Sequence, residues 1–442
     1  MSRPILLSLI LLGGATATAA AQTPGPPPTA ARPATLLKEA AAIQRKTVQL
    51  RGLHVRRPIA MGVQSRAAIL ERVERKLARD NSAEEIQAEA EVLKRLGLLP
   101  PKLDYRQAVL ELLRDQVAGY YDPSERKLHL ADWLPMTLQA PALSHEICHA
   151  LQDQHFDLKR FIKPQKDNSD RQLAQTALVE GDCTGVMLEY VLAPQGKDLG
   201  SLDESALDML GSALAAQGSA HFKTAPPFLR ETLLFPYLKG LKLVQRVRAL
   251  QPWSAVSQMF KRPPETTEQV LHPDKYSKRE AGTIIRPAAL PSLQGHTRTR
   301  QDVLGEWNLF LLLSERLTEG LAKRASEGWG GDLLQAFRLA GEPLLIVHLS
   351  TWDSEADALE FANASRHWLL ARKLSPRPAA TAELAVYVDP EKREWSVQRV
   401  NEHVLLLLGA PTELRATLQQ EVWAEWRIGG RRVRPPASQP AP

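Results

Sequence analysis

With 442 residues the chain exceeds what one ordinary hydrophobic core holds, so two or three folding units are expected. A composition of 44% hydrophobic and 24% charged residues, with no heptad run, excludes a disordered, collagenous or coiled-coil chain. The formal charge of +6 is modest for this length and brings no basic stripe interleaved with aromatics, which argues against a nucleic-acid partner.

At the N-terminus, Arg3, the apolar run Ile5 to Leu12 and Ala19-Ala20-Ala21 before Gln22 have the layout of a secretory signal peptide over residues 1–21. The run is far shorter than the roughly 20 residues of a membrane span, and no later stretch is apolar enough, so no membrane span is expected. The expected mature chain is exported, periplasmic or extracellular, where disulfides form. Residues 22–35, rich in Pro, Ala and Gly, read as a flexible linker. From Leu36 to Leu113 apolar residues recur every three or four positions, as in Ile86, Ala90, Leu93 and Leu96, which predicts helices. A hairpin is expected next, Val117–Tyr121 and Lys127–Leu130 around Asp122-Pro123-Ser124-Glu125. Helices follow from about Pro141 to Phe156 and from Ser169, where Ser169 and Gln172 form a capping-box pattern. Residues 200–325 read as largely helical. Strand runs at Leu344–Leu349, Ala385–Val388, Trp395–Val400 and Val404–Leu408, with helices at Glu355–Leu374 and Thr412–Trp426, predict a small α+β domain. The expected fold class is therefore α+β, mostly helical. A main domain over 36–335 precedes the small domain over 336–428 and a disordered tail over 429–442.

Residues 145–149 read His-Glu-Ile-Cys-His. Positions four apart on a helix share a face, so His145 and His149 can hold one Zn²⁺ at about 2.0–2.1 Å. Glu146, rotated about 100° from His145, reaches a water on the metal rather than the metal itself. A catalytic zinc needs a third protein ligand and one open position, and three candidates are open. Glu180 lies on the following helix beside Gly181, which allows close helix packing, on a face that Ala177 and Thr184 mark as unsolvated. His155 stands where a metzincin has its third histidine, but Gln152 replaces the glycine that such a chain reversal needs. Asp182, or more remotely Cys183, would make an aspzincin-like set. Glu180 is the favoured ligand.

Residues 144–158, Ser-His-Glu-Ile-Cys-His-Ala-Leu-Gln-Asp-Gln-His-Phe-Asp-Leu, resemble the active-site helix of poorly characterised exported prokaryotic HExxH zinc metallopeptidases of gluzincin, thermolysin-like type. The likeness includes Val117-Ala118-Gly119-Tyr120-Tyr121-Asp122-Pro123, Ala177-Leu178-Val179-Glu180-Gly181-Asp182 and Pro263-Pro264-Glu265-Thr266-Thr267-Glu268-Gln269-Val270-Leu271-His272-Pro273. Weaker echoes stand at Gly328-Trp329-Gly330-Gly331-Asp332 and Trp352-Asp353. The resemblance implies a zincin-like catalytic domain with zinc on His145, His149 and Glu180 and Glu146 as general base. The thermolysin pattern has aspartate where this chain has Thr184, so Asp153 or Asp182 is expected to orient a ligand histidine instead.

The expected function is a secreted zinc peptidase acting on a peptide or protein substrate with a metal-activated water. His272, and beside it Tyr276, are candidates for stabilising the oxyanion. The Tyr120–Tyr121 strand is a candidate for aligning an extended substrate. Cys148 adjoins His149 and Cys183 follows Glu180 by three, so zinc would draw the two cysteines together, and a Cys148–Cys183 disulfide is expected in an exported chain. Hydrolysis of a non-protein amide is also open. The alternative class is a non-catalytic exported binding or scaffold protein with a structural or vestigial metal site, in which the intact Glu146 would have no task.

Overall fold

The computed structural model describes residues 33–114, 119–132, 136–163, 165–216, 219–338, 341–377 and 383–432. The expected signal peptide, residues 22–32 of the linker, the tail beyond Arg432, and Val117 with Ala118 of the expected hairpin lie outside them. The chain is α+β and mostly helical, with three sheets among the described residues. None of the described helices is long and apolar enough to cross a membrane.

The first sheet holds β1 (Ala60–Gln64), β2 (Gly119–Asp122) and β3 (Lys127–Ala131) in the order β1-β3-β2. The expected hairpin forms β2 and β3, antiparallel with Tyr120 opposite His129 and Tyr121 opposite Leu128. Asp122 closes its turn by accepting from the Ser124 and Glu125 amides at 2.8 and 3.3 Å. β1 pairs parallel with β3 and lies inside the segment expected to be helical. Its sequence, Ala-Met-Gly-Val-Gln, is short and places only Met61 and Val63 on one face, too brief an alternation to stand out from the helical pattern around it, and pairing with β3 makes it a strand.

The motif helix, Met136–Phe156, starts five residues before Pro141 and buries Ile147, Ala150 and Leu151 against Tyr121, Leu128 and Leu130 of the sheet. Ala40 and Ile43 of the N-terminal helix, Pro33–Arg51, join the same cluster. The next long helix, Ser169–Leu192, is capped by Asn168, whose side chain accepts from the Arg171 amide at 2.8 Å. Ser169 is not the cap, because its amide is drawn instead to Asp302 at 2.7 Å. The helix Pro227–Arg248 crosses Ser169–Leu192 at a glycine contact. A Cβ on Gly181 would lie 2.2 Å from the Gly240 carbonyl carbon, and one on Gly240 would lie 2.0 Å from the Ala177 oxygen.

β4 (Ile285–Arg286) pairs with the C-terminal β12 (Arg427–Ile428), which pairs with β13 (Arg431–Arg432), so the expected tail begins as a strand. The large sheet contains β5 (Thr297–Asp302), β6 (Trp329–Arg338), β7 (Leu345–Trp352), β8 (Ser375–Pro376), β9 (Leu384–Val388), β10 (Glu394–Val400) and β11 (His403–Ala410). Its order is β5-β6-β7-β11-β10-β9-β8. Along β11, Leu406 and Leu408 join a core cluster with Phe361 and Trp368 of the helix Glu355–Ala371. Leu405 and Leu407 join another with Val422 and Trp423 of the helix Thr412–Glu425, so the sheet is covered on both faces.

This sheet starts at Thr297, before the expected boundary at 336, and shares apolar packing with the helices that precede it. One apolar cluster runs from Ile69 to Leu408. Arg300 of β5 pairs with Glu89 at 3.1 Å, and Glu89 accepts from Tyr105 at 2.8 Å, all buried. The segments around 263–273 and 328–332 brace this junction. Asp170 accepts from the Thr267 amide at 2.9 Å, and Asp332 accepts from the Gly305 amide and the Trp329 indole at 2.9 and 3.0 Å. Gly305, at φ 76°, is required there because a Cβ would meet Asp170 at 1.8 Å.

Candidate metal centre

His145 and His149 lie one turn apart on the motif helix and turn their imidazoles to one side, with the two Nε2 atoms 3.0 Å apart. Glu180 enters from the helix Ser169–Leu192, with Oε2 3.1 Å from His145 Nε2 and 3.4 Å from His149 Nε2. The structure thus brings His145, His149 and Glu180 together, at no more than 2% exposure each. Glu180 Oε1 and His145 Nδ1 are buried without a hydrogen-bond partner among the described residues. Burial opposes charge on Glu180, yet the charge of His149 together with the hydrogen bonds to His145 and His149 holds the carboxyl below its ordinary range. Burial likewise opposes the charged form of His149, but the Glu180 carboxylate prevails and lifts the imidazole to about 9. Burial lowers His145. Two imidazole nitrogens and a carboxylate oxygen are a donor set that zinc accepts.

Glu146 sits beside the trio and outside it. Its Oε2 accepts from the Tyr121 amide of β2 at 2.7 Å, and burial pushes its carboxyl up to about 8. β2 is the outer strand of its sheet on this side. The Tyr120 and Tyr121 rings are both buried, the former stacked on His129 at 4.8 Å between centroids, so any alignment of a ligand falls to the strand backbone and not to these rings.

Neither of the two aspartates expected to orient a ligand histidine touches one directly. Asp153 accepts from the Tyr121 hydroxyl at 2.9 Å and from Arg57 at 2.8 Å, which fixes β2 rather than a histidine. Asp182 reaches His149 only through Gln152. Gln152 Oε1 lies 3.0 Å from His149 Nδ1, Gln152 Nε2 donates to Asp182 at 2.8 Å, and Asp182 pairs with Arg51 at 2.6 and 3.1 Å. His155 is turned away, with Nε2 2.7 Å from the His54 carbonyl. His272 pairs with Glu306 at 2.9 Å and the Tyr276 hydroxyl donates to the Arg262 carbonyl at 2.9 Å, so neither is brought to the trio.

Tyr237, which no expectation named, is the aromatic side chain that the structure sets beside the trio. It is half-buried on the helix Pro227–Arg248, its ring stacks over His145 at 6.1 Å, and its hydroxyl hydrogen-bonds the Glu180 carboxylate. Burial keeps its pKa well above the ordinary phenol value, so it remains a donor. No local pattern in the sequence marks it, because the Gly240 contact that sets its helix against Glu180 is long-range. Gln152 did have a signal, since a residue three after a ligand histidine on a helix lies against it.

Cys148 and Cys183 lie at disulfide distance, with Sγ–Sγ 2.29 Å and Cα–Cα 5.4 Å, and link the two helices that carry the trio. Denatured, unreduced protein is expected to take up no alkylating reagent at either cysteine, read by intact mass. Two alkylations would show the thiols free.

Residues 292–419 match a family model described as a domain of unknown function (DUF8575). The match covers most of the large sheet and its helices and none of the residues at the trio. No curated protein and no solved structure matches the chain.

Proposed function

We propose that the chain is a zinc-dependent peptidase of the gluzincin, thermolysin-like kind, built on a zincin-like domain. One observation carries this reading. A tetrahedral zinc with donors at about 2.0–2.1 Å separates them by roughly 3.3–3.4 Å, and two imidazole nitrogens and a carboxylate oxygen lie buried 3.0 to 3.4 Å apart. Bound there, zinc supplies a Lewis acid that polarises a carbonyl and makes a water acidic. Glu146, held by the Tyr121 amide, takes the proton of the attacking water and returns it to the leaving nitrogen. Tyr237 donates its hydroxyl to the carbonyl oxygen as charge builds there. The outer strand β2 pairs with an extended peptide chain through its backbone. The disulfide supports an oxidising compartment and, with the expected signal peptide, export.

The alternative, a binding or scaffold protein with a structural metal, draws on the burial of all four site residues at 2% exposure or less. Both readings require the metal, so the first test is bound zinc per chain in wild type, Glu180→Ala and His155→Ala. Stoichiometric zinc is expected in wild type and His155→Ala, and its loss in Glu180→Ala. A wild type that stays metal-free after reconstitution with zinc would end both readings.

A further inference from the structure

We propose that Gln152 is a positioning residue that holds the proton of His149 on Nδ1 and so turns a bare Nε2 toward His145 and Glu180. The inference rests on the zinc reading for its purpose but on hydrogen-bond geometry for its content. Gln152 Nε2 donates to the Val179 carbonyl at 3.0 Å and to Asp182 Oδ2 at 2.8 Å. Both partners only accept, so exchanging the ends of the amide would set an oxygen against two oxygens. The amide oxygen therefore faces His149 Nδ1 at 3.0 Å, and an amide oxygen also only accepts. The proton between them belongs to Nδ1. An imidazole that binds a metal is neutral and carries one N–H, so with that proton fixed on Nδ1 it is Nε2 that gives up its proton and offers a lone pair where the three donors meet.

The lock is itself held from behind. Arg51 grips Asp182 through two hydrogen bonds of 2.6 and 3.1 Å, and donates further to Ser257 at 3.0 Å. Gln152 and Asp182 are fully buried and Arg51 is 1% exposed, so no water competes for these bonds. The charge of Asp182 is balanced by Arg51, and a neutral amide stands between that pair and the histidine. The trio includes a single carboxylate, Glu180, and among the described residues the partner on His149 Nδ1 from this network is an uncharged amide.

The test uses the full-length protein, zinc alone as probe, and two forms: wild type and Gln152→Met, which keeps the length but removes the acceptor on Nδ1. Zinc affinity is read by competition with a chromophoric chelator. The metal-free proteins are also read by ¹⁵N-coupled proton spectra for a slowly exchanging downfield His149 Nδ1–H, with amide dispersion confirming the fold. Gln152→Met is expected to bind zinc about 10- to 100-fold more weakly and to lose the downfield proton. Unchanged zinc affinity in folded Gln152→Met, or a wild type without the Nδ1–H, would overturn the proposal. A wild type that shows the proton but binds no zinc would keep the lock and end the zinc reading instead.

Discussion

Glu146→Gln is expected to hold one zinc per chain and to lose peptide hydrolysis by about 10²- to 10⁴-fold, the usual contribution of a positioned general base. The trio does not use this side chain, since the donors converge from His145, His149 and Glu180. An amide oxygen can still accept from the Tyr121 amide, so the local backbone contact survives. The folded carboxyl sits at about 8, above its ordinary value, so ionising it weakens the fold and not the reverse. That weakening is absent below the ordinary carboxyl range and grows with pH up to about 8 in the metal-free protein. The neutral glutamine escapes it, and the metal-free variant should melt no lower than wild type at pH 7. Zinc content, turnover of a peptide mixture and a thermal midpoint decide the matter. Retained turnover would remove Glu146 from catalysis. Equal zinc with no turnover in either form across peptide mixtures would favour the scaffold reading.

Gly240→Ala should give the largest loss of stability from the smallest change. In an isolated helix the exchange gains about 1 kcal/mol from propensity. Here the added carbon lies 2.0 Å from the Ala177 carbonyl oxygen, which is backbone and cannot rotate aside. Overpacking costs about 1–3 kcal/mol and more when backbone must move, so steric cost exceeds propensity gain. Relief requires the two helices to separate, which carries Tyr237 away from Glu180. The urea midpoint is expected to fall and zinc affinity with it. A midpoint at or above that of wild type would show that the crossing is looser than the structure has it.

Much of this was legible in the sequence, and what was not has a physical cause. The hairpin, the motif helix and the strands and helices from Leu345 onward follow from turn chemistry and apolar period, which are local. The HExxH spacing pointed to His145 and His149, and the small residues around Glu180 pointed to a buried face. β1, β5 and β6 were not found because a short or glycine-punctuated strand is made by its partner. Ser169 has the chemistry of a helix cap, but Asp302, 133 residues on, claims its amide. Asp153 has the chemistry of a histidine partner, but Tyr121 and Arg57 take it. Tyr237 required a helix crossing that no window of sequence contains.

The Arg51–Asp182 pair joins residues 131 positions apart. A carboxylate shut away from water without its counter-charge is costly by several kcal/mol, so the second helix cannot seat Asp182 until the intervening chain has closed on Arg51. Folding around the trio is then expected to be a late, long-range event rather than a helix-by-helix accretion. The helix Pro33–Arg51, far upstream of the other two, is the one that backs the trio through Arg51. While it is held apart, the donors on the two later helices have no fixed place to meet.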